Sequence, residues 1–246
     1  MNPNSPAFRS ELARVFSLCG LSKLLSFDRT EQFVALTERL LTENQKYNLT
    51  AITEPEQIIL QHYADSLSLA ALLPAGASLV DVGTGAGFPA LPLAICRPDL
   101  RITAIDSTER RVSYVAETAA MLGLSHLTAR TLRAEAAGRD DGLRERFDVA
   151  VARGVSELRV LCEYCLPLVR VGGVFLAMKG RQAAQESTAA KKAVALLGGK
   201  LRESVAVPLT DGHGEPLAHV VVVIDKLNKT PPAYPRDNAQ IVKRPL

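Results

Sequence analysis

The residues of this chain whose types and spacing suit chemistry gather first in Leu79-Val80-Asp81-Val82-Gly83-Thr84-Gly85-Ala86-Gly87-Phe88-Pro89. The apolar run predicts a buried strand, and Pro89 suits the first turn of a following helix. Glycines between two such elements permit positive φ and let a ligand come close to the backbone, where the free amides of a helix start hold polar groups. The second group is Arg101-Ile-Thr-Ala-Ile-Asp106, a second predicted strand that ends in a carboxylate 25 positions after Asp81. An acid roughly 20 residues past such a turn is placed to accept hydrogen bonds from both hydroxyls of a ribose. Asp106 or Ser107 also suits capping of the next helix, and the two roles are compatible. Turn and acid together predict a site for a nucleoside-bearing ligand.

Other reactive side chains carry less. Cys162-Glu-Tyr-Cys165 has the spacing of a redox or metal pair, yet it lies in a helical pattern without a second pair or a nearby His, so it reads as core packing. No Cys/His spacing argues for a metal. His62 and Asp65 fall three apart on one helix face and are expected to form a buried structural pair that docks the N-terminal helices on the sheet, with direct RNA contact as the alternative. His126, His213 and His219 are scattered and receive no role.

The elements that position these residues follow from hydrophobic period. Residues 8–19, 28–44 and 55–73 show apolar residues at three- and four-residue spacings, which predicts an α-helical N-terminal cap over residues 1–75. Strand and helix then alternate: strands at 79–82, 101–106, 127–132, 147–152 and 173–178, helices at 88–96, 107–122 and 158–169. Such alternation implies a parallel sheet with right-handed crossovers. Segments 201–207 and 219–224 are joined by a loop, 208–216, too short for a crossover helix, which predicts a hairpin and one antiparallel edge strand. An α/β domain of residues 76–228 results, followed by a proline-rich tail, 229–246, expected to be extended and partly mobile.

At 246 residues and 47% apolar content the chain can bury a full core. Its net charge of +3 is mild, but residues 170–202 hold seven Lys or Arg against the single acid Glu186. Such a face suits phosphates and solvent alike. No apolar run reaches the roughly 18 residues of a membrane span and no signal-peptide order is present, so a cytoplasmic protein is expected, with its four cysteines reduced.

Counted from Gly83, the third glycine comes one residue earlier than in the G-x-G-x-x-G fingerprint, with Phe88 in its place, which weighs against a nicotinamide oxidoreductase. The compact Asp-x-Gly-x-Gly-x-Gly form instead resembles the first motif of S-adenosylmethionine-dependent methyltransferases of the Rossmann-like class. Their fold is α/β, with a mostly parallel seven-stranded sheet and an antiparallel edge strand. Tyr47-Asn-Leu-Thr50, His62-Tyr-Ala-Asp-Ser66, the glycine turn, Asp106-Ser107 with Arg110-Arg111, Arg133-Ala-Glu135, Arg153 and Lys179-Gly180 together resemble one family. It is that of the bacterial small-subunit ribosomal RNA guanine-N7 methyltransferases, also called glucose-inhibited division protein B.

The resemblance implies S-adenosyl-L-methionine as cofactor and 16S ribosomal RNA, or the small ribosomal subunit, as partner; a monomer is expected, although the sequence does not fix the oligomeric state. It implies that Gly83, Gly85 and Phe88 shape the methionine pocket with Asp81 near the amino group. Asp106 would bind the ribose, and Ala134 and Glu135 would border the adenine. Arg153 would close the pocket and position the methionine carboxylate or the guanine, and Lys179 and Arg181 would meet RNA phosphates. Guanine N7 has a lone pair and no proton, so the absence of a catalytic dyad agrees with this target. The chain departs from the family at Gly154 (usually Ala), Ala90 (usually Gly) and Arg110 (usually Lys). Two alternatives share the fold: a methyltransferase acting on another RNA, a protein or a small molecule, and a non-catalytic binder of S-adenosylmethionine.

Overall fold

The computed structural model describes residues 1–207, 209–210 and 217–246. Its sheet contains β1 Ser78–Val82, β2 Arg101–Asp106, β3 Leu127–Thr131, β4 Phe147–Arg153, β5 Val169–Lys179, β6 Gly199–Leu201, β7 Val205–Ala206 and β8 Val220–Lys226. The order is β3-β2-β1-β4-β5-β8-β6, with β7 also paired to β8. The five strands from β3 to β5 are parallel, and β8 runs antiparallel to β5, β6 and β7.

The expected antiparallel edge strand therefore needs correcting in its place. The alanine-rich helix α9 Ala183–Leu196, which the sequence pattern did not single out, carries the chain from β5 past one strand position to β6. Strand β8 fills the gap that this crossover leaves, so the antiparallel strand is interior and β6 with β7 forms the edge. Residues 202–204 interrupt that edge, which is why a seven-position sheet contains eight strands. Most of the predicted 208–216 connection lies outside the described residues.

Side chains alternate across the sheet with period two. Leu79, Val149, Val151, Leu176, Met178, Val221 and Val223 enter one apolar layer; Val80, Val82, Ala150, Ala152, Phe175, Ala177, Val222 and Ile224 enter the other. The first layer contains the N-terminal helices α1 Pro6–Leu18 and α2 Phe27–Tyr47, capped by the hydroxyls of Ser5 and Ser26. It continues through α3 Pro55–Ile58, a π-helical segment Ile59–Ala64 and α4 Asp65–Leu67, and takes in α5 Ala90–Cys96 and α6 Glu109–Met121. The cap thus shares one core with the sheet. The second layer is covered by α7 Ala134–Ala137, α8 Leu158–Cys165, α9 and α10 Asn238–Lys243.

The tail departs from the mobile segment that its prolines suggest. Arg236 forms a paired hydrogen bond with Glu163, a fully buried acid of α8, at 2.6 and 2.9 Å. Arg144 donates to the carbonyls of Thr230 and Tyr234 at 2.9 and 2.8 Å. Lys226, also fully buried, donates to the Leu166 carbonyl and to Thr230 Oγ1 at 2.5 Å each. Buried charges demand such partners, and satisfying them fixes residues 226–238 onto the second layer. Cys162 and Cys165 are buried in the same layer, and burial raises both thiols well above their ordinary value.

Candidate cofactor and acceptor site

Strand order reverses between β1 and β4, and open α/β sheets take their ligands at the carboxyl ends of the strands beside such a reversal. A cavity of about 420 Å³ opens there, bordered by the ends of β1, β2, β3 and β4. The glycine turn forms its floor. The amides of Gly83 and Thr84 both donate to the Ile105 carbonyl at 2.9 and 3.0 Å, which ties the turn to β2. Gly83 has φ +74°, and a Cβ there would stand 2.6 Å from Val155 Cγ2, so only glycine keeps both the turn and the cavity wall.

Asp106 projects from the end of β2 into this space. Its Oδ2 accepts from the Gly85 amide at 3.0 Å and its Oδ1 from the Thr108 amide at 2.9 Å. A carboxylate oxygen accepts more than one hydrogen bond, so both remain able to take a diol proton while the backbone holds the group in place. Ala134 and Glu135 line the neighbouring wall, as do Leu132, Arg133, Tyr164 and Asn238. Asn238 comes from the tail, where its Oδ1 accepts from the Tyr164 hydroxyl at 2.5 Å.

Asp81 does not border the cavity; it lies under the turn, fully buried. Its Oδ2 accepts weakly from the Ala90 amide at 3.3 Å, while Oδ1 and the adjacent Thr84 hydroxyl find no partner among the described residues. Burial, which penalises the ionised form, pushes Asp81 up to about 6.

Arg153 occupies the far end, with its surroundings set by strand parity. Along β4, Val149 and Val151 face the first layer, so Arg153 faces it too and meets the π segment. It donates to the Gln61 carbonyl at 2.7 Å, to Asp65 Oδ2 at 3.0 Å and to His62 Nδ1 at 3.1 Å. His62 Nε2 lies 3.0 Å from Thr50 Oγ1, and its ring stacks on Phe88 with centroids 4.3 Å apart and planes 9° from parallel. Burial first, and the Arg153 charge second, push His62 down to about 3, so the ring is neutral. Asp65 Oδ1 pairs with His219 Nδ1 at 3.0 Å, and this acid raises the histidine above its ordinary value.

The expected His62–Asp65 structural pair is thus replaced by a junction in which each side chain grips Arg153. A π segment winds more widely than an α-helix and recurs at functional sites. His219, to which the sequence assigned no role, belongs to this junction because it shares the β8 face of Val221 and Val223. Thr50, His62, Arg111, Arg133, Tyr164 and Asn238 line the cavity without having been singled out for it. Of these, the Thr50, His62, Arg111 and Arg133 segments carried a signal, through the motifs that contain them.

The two proposed RNA cations differ. Lys179 faces the second layer, where its ammonium is held by Glu186 Oε2 at 2.7 Å and the Ser156 carbonyl at 2.6 Å, with 9% of its side chain exposed. That engagement corrects its reading as a cation free for phosphate. Arg181 is exposed. Among the described residues no group of three or more His, Cys, Asp or Glu side chains is placed to hold a metal, and no helix is long and apolar enough to cross a membrane.

A family model described as rRNA small subunit methyltransferase G matches residues 29–211. Curated relatives named ribosomal RNA small subunit methyltransferase G include that of Pelotomaculum thermopropionicum, 42% identical over 222 residues, covering 89% of this chain and 91% of the relative. Another, from Brevibacillus brevis, is 40% identical over 240 residues and covers 97% and 99%. Among solved structures, the 16S rRNA (adenine(1408)-N(1))-methyltransferase from Catenulisporales acidiphilia aligns with a TM-score of 0.51 at 16% identity, covering 67% of this chain and 94% of that one. Geranyl diphosphate C-methyltransferase from Streptomyces coelicolor A3(2), in a structure that contains S-adenosyl-L-homocysteine, aligns with a TM-score of 0.50 at 15% identity over 66% and 78% of the two chains. At these identities the two structures bear on fold alone, which is the Rossmann-like fold of S-adenosylmethionine-dependent methyltransferases.

Proposed function

Because the chain belongs to the rRNA small subunit methyltransferase G family, we propose that it transfers the methyl group of S-adenosylmethionine to N7 of one guanine in 16S ribosomal RNA. The transfer uses no general base. When bound, the cofactor would supply an electrophilic methyl carbon to the guanine N7 lone pair, and because N7 carries no proton, none would have to be removed.

The residues present fit such a cofactor. Gly83, Gly85 and Phe88 form a floor that a Cβ at Gly83 would fill, which supports close approach of a ligand to the backbone. Asp106 stands where the ribose hydroxyls need acceptors, and Ala134 and Glu135 border the adenine space, closed by Tyr164 and Asn238. Asp81 acts from beneath as a buried negative group that favours a cationic ligand above it. Arg153 serves as a positioning residue: its guanidinium is committed to Gln61, Asp65 and His62, and so holds the cap over the methionine end.

What the protein contributes is geometry, the major source of rate in a two-body displacement. The observation that supports this reading is a cavity of about 420 Å³ at the strand-order reversal, bordered by the glycine turn and by Asp106. Arg111, Arg133 and Arg181, all exposed, are the cations proposed for RNA phosphates. The test is transfer of labelled methyl to small-subunit RNA from a strain lacking this protein, followed by chemical cleavage at 7-methylguanosine. One cleavage site is expected, lost with Asp106→Ala; labelling without cleavage would move the target to another atom.

A further inference from the structure

Thr50 lies in the connection between α2 and α3 and borders the cavity, half-buried. A hydroxyl has one proton to donate and two lone pairs with which to accept. The Ile52 amide donates to Thr50 Oγ1 at 3.1 Å, and His62 Nε2 lies 3.0 Å from the same oxygen. The direction of that second bond is decided at the other edge of the imidazole. Arg153 has only donors to offer, and its Nη2 stands 3.1 Å from His62 Nδ1, so Nδ1 must accept. A neutral imidazole then carries its proton on Nε2 and donates it to Thr50. Both lone pairs of the hydroxyl are taken, and among the described residues no protein group accepts its proton. The Thr50 amide is itself held by Asn44 Oδ1 at 2.8 Å, which fixes the residue in place.

We propose that the Thr50 hydroxyl donates its proton to O6 of the guanine that is methylated at N7, and so selects guanine over adenine. The inference rests on the guanine-N7 reading. O6 adjoins N7 on the major-groove edge of guanine, where both are acceptors, whereas adenine presents an amino donor beside its N7. A hydroxyl already committed as a donor accommodates the first base and opposes the second. Placement agrees: Asp106 at the end of β2 and Ala134 and Glu135 of α7 line one side of the cavity, while Leu49 and Thr50 line it from the cap. The stack of His62 on Phe88 couples the direction of this hydroxyl to the glycine turn. Methylation gives the guanine ring a positive charge, which weakens O6 as an acceptor, so the contact recognises and orients the base rather than stabilising the transition state.

The experiment compares wild type, Thr50→Val and Thr50→Ser in affinity for S-adenosylhomocysteine and in kcat/KM for N7 methylation of small-subunit RNA. Thr50→Val is expected to bind S-adenosylhomocysteine within about twofold of wild type and to lose about tenfold in kcat/KM for RNA, as fits one hydrogen bond. Thr50→Ser, which keeps the hydroxyl, is expected to restore the rate. If Thr50→Val melts too low for assay, Thr50→Ala is judged by the same criteria. A matching loss of S-adenosylhomocysteine affinity would overturn the proposal, since the proton would then serve the methionine carboxylate; so would undiminished methylation. Labelling by wild type at an atom other than guanine N7 would instead sink the functional reading, and this assignment with it.

Discussion

Asp81 is an acid that the fold holds at a cost. Its ordinary value is 3.8 and burial raises it to about 6, so the folded chain binds this proton more tightly than the unfolded chain does. A raised acid favours the fold most below pH 3.8, and that contribution fades as pH climbs through about 6. The gap between the two values corresponds to about 3 kcal/mol at neutral pH. Asp81→Asn, nearly the same shape without the charge, is therefore expected to raise the melting temperature of the ligand-free protein at pH 7.5. It should also flatten the decline of melting temperature between pH 4 and 6.5, and a melt series in which both proteins keep the same slope would refute the account. Natural sequences keep such destabilising groups where function needs them, and among the described residues Asp81 Oδ1 is left without a partner beneath the glycine turn.

At the scale of elements, the ion pair of Arg236 with Glu163 is one of the contacts that hold helix α10 and the strap before it. Glu163 is fully buried, and Arg236 is its guanidinium partner. Arg236→Ala leaves a buried carboxylate unpaired, for which a loss of roughly 3 kcal/mol is expected in denaturant unfolding. The same variant should bind S-adenosylhomocysteine more weakly by calorimetry, because Asn238 leaves the cavity wall when the strap loosens; full affinity would show the strap to be structural only. This partnership was not legible in the sequence: prolines at 231, 232, 235 and 245 read locally as an extended tail, while the acid that pins it lies 73 residues away. The glycine turn and Asp106 were legible because their geometry is local, strand into turn and strand end into helix. The strand β4 was legible too, but the partners of Arg153 were not. They depend on which face of the sheet it takes and on a π segment whose winding no three- or four-residue spacing reports. Likewise, His219 reads as a stray residue until β8 inserts between β5 and the edge and brings it to Asp65.

Over the whole molecule, the cap and the sheet are joined beside the cavity by Arg153, His62, Asp65 and His219. Asp65 raises His219 above its ordinary value of 6.5. A raised histidine lends its stability in full below 6.5 and loses it as pH rises through the folded value, so the hold of the cap on β8 weakens toward alkaline pH. His219→Gln should remove this dependence and leave the protein less stable than wild type at pH 6, with the difference shrinking as pH rises, as a series of thermal melts would reveal. Equal melting temperatures at pH 6 would contradict it. The cavity itself takes its lining from Leu49 in the cap through to Asn238 in the tail. During synthesis the wall that begins with Leu49 stays open until Asn238 has emerged and α10 has docked. A nascent chain therefore holds the glycine turn long before it holds a finished pocket, and a closed cavity marks a chain whose C-terminal strap is already in place.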